Sequence, residues 1–169
     1  MIKFITSLLS LAAVMIHMPS VQAAQVEVKW SNPDKYTDIK AGEGHRKKFQ
    51  EQTFKTLDAH FAKMAKMLPE QQQLIIKVTN LDLAGDVNYG MKRIRIIKDI
   101  FTPRMKFSYQ LLNADKAVVK SEDVALNDMG FLMHNNLKYR NESLAYEKKM
   151  LDDWFRKTFA NSDKSIEQK

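Results

Sequence analysis

Residues 105–112 read MKFSYQLL, in which all four odd-numbered residues are apolar and three of the four even-numbered residues are polar. Because successive side chains of a strand point to opposite faces, this alternation predicts a strand with one buried and one exposed face. The polar cluster at 113–116 (NADK) is typical of a tight turn, and residues 117–126 return as a more polar partner strand near a sheet edge. The centre of the fold is therefore predicted to be an antiparallel hairpin.

Three earlier segments also have strand character. Residues 26–30 (VEVKW) alternate, residues 74–83 (LIIKVTNLDL) are rich in β-branched side chains, and residues 94–100 (IRIIKDI) form a shorter apolar run. Pro103 interrupts the chain after the last of these. Residues 84–90 contain Gly, Asp and Asn and are predicted to be a turn-rich connection.

Two segments have the periodicity of amphipathic helices. In residues 45–68 apolar side chains recur at spacings of three to five, and Pro69 stops the pattern. Ser143 is a candidate cap for a last helix from residue 144 to about 160. The stretch 127–141 before this helix is polar and irregular.

The order strand, helix, several strands, helix predicts an α+β fold. We expect a mostly antiparallel sheet of about five strands, with the two amphipathic helices packed on one face. The first strand, the first helix and the strand at 74–83 have the arrangement of a parallel crossover unit. The local patterns leave the order of the strands in the sheet open.

The N-terminus has the three zones of a secretory signal peptide. Lys3 supplies a positive charge, residues 4–16 form an apolar run, and residues 17–24 (HMPSVQAA) end in small side chains. This pattern predicts a signal peptide at 1–23 that is cut near Ala23, and hence a periplasmic protein. The apolar run is too short to span a bilayer, which takes roughly 20 residues.

The remaining chain, 24–169, is predicted to be one domain with a disordered tail from about residue 161. Removal of residues 1–23 takes away Lys3 and leaves 26 basic against 20 acidic residues, a net charge of +6. A basic protein outside the cytoplasm favours an anionic envelope component as its partner, and a solvated basic surface is the alternative. No further stretch is long and apolar enough to span a membrane.

Motifs of several enzyme classes are missing from the sequence. The chain has no cysteine, which excludes disulfides, thiol nucleophiles and cysteine-ligated zinc. It also has no HExxH, GxSxG, P-loop or GxGxxG motif, so no catalytic residue, metal or cofactor is assigned. The histidines of the mature chain lack the spacing of a helical zinc site and are interpreted as surface or half-buried side chains: His45, His60 and His134.

Two pairs of carboxylates have simpler interpretations than a site. Asp82 and Asp86 bracket a Gly-containing loop, but calcium needs six or more oxygens, so a turn-stabilising role is favoured. Asp152 and Asp153 are neighbours on the last predicted helix and point about 100° apart, so they are not a shared-proton pair. A solvated face, or a contact with a neighbouring basic residue, is expected for them.

The densest basic group lies around the strand at 94–100 and comprises Arg93, Arg95, Lys98, Arg104 and Lys106. If this strand pairs with the strand at 105–112, the group forms a basic patch on the solvent side of the sheet. The aromatic residues Phe107 and Tyr109 would then face the other way and could not stack on bases, so nucleic-acid binding is not expected.

Several motifs together carry a family resemblance. They are 26–30 with 32–39 (NPDKYTDI), 77–85 (KVTNLDLAG), 95–99 (RIIKD) with Pro103 and Arg104, 106–112 (KFSYQLL) and 146–155 (YEKKMLDDWF). In these the chain resembles an uncharacterised exported bacterial family, catalogued as domain of unknown function 3016. The resemblance implies export and a single domain, and it implies no activity. It directs attention to seven polar residues, which form either a salt-bridge network or a site: Asp82, Arg95, Lys98, Asp99, Arg104, Asp152 and Asp153.

Three hypotheses for the function follow. The first is a periplasmic binding or accessory module for an anionic ligand or a protein partner, with these candidate ligand-binding residues: Asp82, Arg95, Lys98, Asp99 and Arg104. The second is a carboxylate-dependent hydrolase, which requires at least two of Asp82, Asp99 and Asp153 to converge in a cleft. The third is a structural subunit that forms homodimers through a sheet edge. The sequence leaves the oligomeric state open.

Overall fold

The structure is a computed structural model that describes residues 24–90, 92–133, 137–139 and 141–159. The predicted signal peptide at 1–23 and the predicted tail from about residue 161 lie outside the described residues. Within these ranges, no helix combines the length and the apolar character that crossing a membrane requires.

Six strands and two helices make up the described chain. The strands are β1 (Gln25–Trp30), β2 (Gln73–Asp82), β3 (Asp86–Tyr89), β4 (Arg93–Ile96), β5 (Arg104–Leu112) and β6 (Val118–Asn127). The helices are α1 (Arg46–Ala65) and α2 (Ala145–Phe159), and two short 3-10 turns lie at Pro33–Lys35 and Leu137–Tyr139.

The main sheet has four strands in the order β1-β2-β5-β6. β1 is parallel to β2, and the other two pairings are antiparallel. The predicted α+β class, the predicted hairpin of β5 and β6 and the predicted parallel pairing across α1 are therefore confirmed. The sheet has four strands rather than about five, because β3 and β4 form a separate two-stranded sheet.

Both helices pack on one face of the main sheet, as the amphipathic patterns predict. The rings of Trp30 and Phe54 stack with centroids 4.3 Å apart, which joins β1 to α1. Trp154 of α2 meets Phe107 and Tyr109 of β5 edge to face, with centroids 4.8 and 5.4 Å apart. A single buried cluster thus combines side chains of β2, β5 and the two helices.

The small sheet corrects two expectations. Residues 86–89 were predicted to be part of a turn, but they form strand β3 and pair with β4. The predicted strand at 94–100 ends at residue 96. Because β4 pairs with β3 rather than with β5, the strand pairing on which the basic patch of Arg93, Arg95 and Lys106 depended does not form.

Gly85 fixes the entry to the small hairpin of β3 and β4. Its φ is +78°, and a Cβ at this position would lie 2.5 Å from the carbonyl oxygen of Ile96. Replacement by alanine therefore meets both a left-handed backbone and a backbone clash, and we expect a loss of about 2–4 kcal/mol in the free energy of unfolding. Urea denaturation measures this loss.

Gly90 is the matched control for Gly85 in the same hairpin. The nearest atom to a Cβ at Gly90 is the Asn88 side-chain oxygen at 3.6 Å, an ordinary contact. We expect Gly90→Ala to change stability by less than about 1 kcal/mol. A loss of stability in Gly85→Ala as small as that in Gly90→Ala would show that the backbone near Gly85 relaxes without penalty.

Candidate functional site

The Arg95 side chain attaches the small hairpin to the segment that follows the first 3-10 turn, and we refer to its contacts as the Arg95 pin. Its Nη1 donates to the Asp38 carboxylate at 2.9 Å and to the carbonyl oxygens of Ala84 at 3.3 Å and Gly85 at 2.8 Å, while Nη2 donates to the carbonyl oxygen of Lys40 at 3.2 Å. The Arg95 side chain is 19 % exposed and that of Asp38 is 8 % exposed. The charge of Arg95 is thus paired with that of Asp38, and its guanidinium group links the hairpin to this segment.

Asp82 lies beside this pin at the end of β2. It is directly opposite Arg104 of β5, and both line a small cavity of about 250 Å³. Burial raises the pKa of Asp82, the charge of Arg104 opposes this, and the nearby Asp38 carboxylate raises it further. The described residues include no group of three or more histidine, cysteine, aspartate or glutamate side chains that could hold a metal ion.

Lys98 and Asp99 stand apart from the other predicted ligand-binding residues. Both are exposed, in the connection between β4 and β5, where the Phe101 amide donates to the Lys98 carbonyl oxygen. Neither of them lines the cavity that contains Asp82. The structure therefore brings together three of the five predicted residues, namely Asp82, Arg95 and Arg104. The sequence did not point to their partner Asp38.

The three carboxylates of the hydrolase hypothesis also do not share a cavity. Asp99 is exposed in its turn, and Asp153 on α2 accepts hydrogen bonds from Lys149 at 2.5 Å and from Arg156. Neither lies in the cavity that Asp82 lines. The cavity that Asp82 lines therefore lacks the second of these three carboxylates that the hydrolase hypothesis requires, whereas the expected contact of Asp153 with neighbouring basic residues is confirmed.

A larger cleft, of about 500 Å³, lies between the small hairpin and the segment from residue 34 to residue 46. The basic side chains on its lining are Lys40, Arg46 and Arg93, and the acidic one is Asp34. Arg46 and Asp34 are 3.8 Å apart, and both are largely exposed, so this pair is weak. We refer to this feature as the basic cleft.

The walls of the basic cleft are held close together by Gly42. A Cβ at this position would overlap the backbone carbonyl oxygen of Arg93, so only glycine allows the approach. On the hairpin side, the Arg93 guanidinium carbon lies 5.6 Å from the centre of the Tyr89 ring, and Tyr89 is 62 % exposed. The cleft thus presents an aromatic ring beside its cations.

A third polar cluster is centred on Asp152 and joins α1, α2 and the second 3-10 turn. One oxygen of Asp152 lies 3.0 Å from Nε2 of His60. The other accepts hydrogen bonds from the Tyr139 hydroxyl and, at 2.5 Å, from the Lys138 ammonium group. Burial alone would raise the pKa of Asp152, but these donors outweigh it and hold the pKa below its usual value. We refer to these four residues as the Asp152 hub.

The Asp152 hub was predicted only in part: Asp152 was expected to contact a basic residue or to belong to a salt-bridge network, but its partners His60 and Tyr139 were not identified. His60 was interpreted as surface or half-buried, but it is only 5 % exposed. A sequence signal for this burial exists, since His60 follows Leu57 by three residues and precedes Met64 by four, which places it on the apolar stripe of α1. Its partner Asp152 could not be found in the same way, because the contact depends on how α1 packs against α2.

One sequence family matches almost all of the described chain, and the other comparisons give nothing. No curated protein and no solved structure matches the sequence. The sequence model of the family described as "Protein of unknown function (DUF3016)" matches residues 24–157, which include the Arg95 pin, the basic cleft and the Asp152 hub. The expected family resemblance is therefore confirmed, and the chain belongs to this family of proteins of unknown function.

Proposed function

We propose that the protein is a periplasmic binding module that holds an anionic component of the cell envelope in the basic cleft. The observation that carries this proposal is the charge of the cleft, whose lining has three cations against one carboxylate. Neither the Lys40 ammonium group nor the Arg93 guanidinium has a carboxylate partner among the described residues. Their charge is therefore available to a ligand.

The size and the aromatic ring favour an anionic saccharide as the ligand. A volume of about 500 Å³ lies within the range of roughly 300–1,000 Å³ that is usual for small-ligand sites. The exposed ring of Tyr89 offers an apolar face against which a sugar can pack, and Arg93 beside it offers a charged partner for a phosphate or carboxylate group. A signal peptide at 1–23 would deliver the protein to a compartment rich in such groups.

A charge-reversal pair tests the proposal. We expect Arg93→Glu to weaken the binding of a heparin-derived oligosaccharide by about tenfold at low salt, because an attractive contact becomes repulsive. Lys98→Glu makes the same change in net charge on an exposed residue outside the cleft and is expected to leave the affinity nearly unchanged. Isothermal titration calorimetry measures both affinities.

Two results would contradict the proposal. Equal weakening by Arg93→Glu and Lys98→Glu would show that the oligosaccharide responds to overall charge rather than to the cleft. No binding by the folded wild-type protein at low salt would rule out the cleft as an anion site, since interactions between surface charges are strongest at low salt. Charge reversal at Arg95 is unsuitable for this test, because Arg95 contacts both the hairpin and the neighbouring segment, so its replacement changes the contacts between the cleft walls as well as the charge.

A further inference from the structure

A second cavity, of about 410 Å³, lies where α1 approaches the start of α2, and His60 is on its lining. The polar residues around it are Lys55, Thr56, Lys63, Glu142 and Lys148. None of them lines the basic cleft, so this cavity is independent of the proposed function. We refer to it as the His60 cavity.

The surroundings of His60 fix which ring nitrogen carries a proton. Nε2 lies 3.0 Å from a carboxylate oxygen of Asp152 and 3.2 Å from the backbone carbonyl oxygen of Lys148. Both neighbours can only accept hydrogen bonds, so Nε2 must be the donor. In the neutral ring Nδ1 is then an unprotonated acceptor.

Nδ1 of His60 has no hydrogen-bond partner among the described residues. The side chain as a whole is only 4 % exposed. The buried side-chain nitrogen and oxygen atoms of the described chain that lack any partner are Nε2 of Gln50 and Oε1 of Gln72. Nδ1 is not among these atoms, so it keeps access to solvent, and His60 lines the His60 cavity.

The charges around the cavity are predominantly positive. Lys148 of α2 is paired with Glu142 at 2.6 Å, which neutralises both. Lys55 and Lys63 of α1 are exposed and have no carboxylate ion-pair partner in the described part of the chain. On the opposite side of the ring, Lys138 and Tyr139 of the 3-10 turn are bound to Asp152 and leave Nδ1 free.

We propose that the His60 cavity is a binding site for a small anion that bears a hydroxyl group, of which hydrogenphosphate is the simplest example. The hydroxyl group of the anion donates a hydrogen bond to Nδ1 of His60. The charged oxygens face Lys55 and Lys63. An anion without a hydroxyl group, such as sulfate, places an oxygen against the lone pair of Nδ1 and is rejected.

The protonation state of His60 supports this selectivity at neutral pH. Burial lowers the pKa of His60, and although Asp152 raises it, Lys148 and Lys138 add to the lowering. The ring is therefore neutral near pH 7.5, where hydrogenphosphate still has its hydroxyl group. At lower pH, a protonated Nδ1 becomes a donor, and sulfate is then accepted.

Calorimetric titrations of the folded protein with inorganic phosphate and with sulfate at pH 7.5 test the proposal. We expect a preference for phosphate of at least roughly tenfold, because sulfate places a charged oxygen against the Nδ1 lone pair and leaves this acceptor without a donor. In His60→Gln this preference is lost. Lys63→Gln weakens the binding of both anions. Lys47 is an exposed residue of the same helix, so Lys47→Gln serves as the matched control and changes neither affinity.

Nuclear magnetic resonance of the His60 ring in the wild-type protein tests the proposal without any variant. We expect the Nε2–H tautomer, and we expect the Nδ1 resonance to shift on addition of phosphate but not of sulfate at pH 7.5. The opposite tautomer, equal binding of the two anions, or no response to phosphate would overturn the proposal. Binding to vesicles with phosphatidic acid but not to free phosphate would overturn the assignment to a small anion.

Discussion

Replacement of Asp152 by asparagine is expected to lower the free energy of unfolding by about 3 kcal/mol at pH 7, since the removal of one member of a buried ionic cluster typically costs about 3–5 kcal/mol. The carboxylate accepts hydrogen bonds from His60, Tyr139 and Lys138 at once. An asparagine has one acceptor oxygen and one NH2 group, so the donors on at least one side of the original carboxylate lose their partner and face a second donor instead. Urea denaturation followed by circular dichroism measures the change.

The pH dependence of this loss identifies the charge as its cause. The folded-state pKa of Asp152 is below its usual value of 3.8, so its contribution is fully present above pH 3.8 and is lost as the pH falls through the folded-state pKa. The difference between wild type and Asp152→Asn should therefore be fully present near pH 7 and shrink below pH 4. His60 adds acid sensitivity at higher pH, because its lowered pKa makes the folded state less stable as the pH falls below about 6.5.

Asp153→Asn is the matched control, because Asp153 is the next residue of the same helix. Its partners Lys149 and Arg156 are within four residues on the helix surface, and such pairs contribute less than about 1 kcal/mol. We expect a correspondingly small loss. If both variants lost the same stability, the Asp152 hub would be no more than a surface ion pair.

The sequence was sufficient for the main sheet and the helices, because their signals are local and repeated. The alternation in residues 105–112 places Phe107 and Tyr109 on the buried face of β5, and both are in the core. The apolar stripe of α1 likewise predicts the side that packs on the sheet. In such elements every residue supports the same conclusion, so local pattern and fold agree.

The small hairpin was missed because its determinants are distant in the sequence. β3 has four residues, of which Asn88 and Tyr89 are exposed, so it shows no alternation. Its position depends on the close approach of Gly42 and on Arg95, whose partner Asp38 is 57 residues away. A pattern search along the chain has no access to such contacts, and the predicted pairing of β4 with β5 failed for this reason.

The candidate sites were predicted only in part, for a related reason. Composition and spacing drew attention to Arg95 and Asp82, which do meet near one cavity. The features with free charge or a free acceptor, the basic cleft and the His60 cavity, bring together residues from different elements. Lys40 and Arg93, for example, become neighbours across the cleft only because the hairpin folds back onto the segment after the first 3-10 turn.

Arg95→Met is expected to lower the free energy of unfolding by about 3–5 kcal/mol, which is the usual result when one partner of a buried ion pair is removed. The substitution keeps an apolar stem but leaves the Asp38 carboxylate and the carbonyl oxygens of Ala84, Gly85 and Lys40 without their donor. Urea denaturation gives the size of the loss, and hydrogen exchange of the β3 and β4 amides shows where the structure opens first.

Arg93→Met on the same strand is the control. Arg93 is exposed and has no ion-pair partner in the described chain, so we expect a loss below about 0.5 kcal/mol. A double variant distinguishes the ion pair from the loss of packing. If Arg95 and Asp38 interact directly, Arg95→Met combined with Asp38→Asn should be less destabilised than the sum of the single variants, by about 1–3 kcal/mol.

The variant Arg95→Met also tests whether the Arg95 contacts support the basic cleft. Arg95 does not line the cleft, but it fixes the hairpin that carries Tyr89 and Arg93 against the segment that carries Lys40. Arg95→Met should therefore weaken oligosaccharide binding even where the protein is still folded, because the two walls of the cleft lose their fixed distance. Unchanged binding by a folded Arg95→Met protein would mean that Gly42 and the core hold the hairpin without the ion pair.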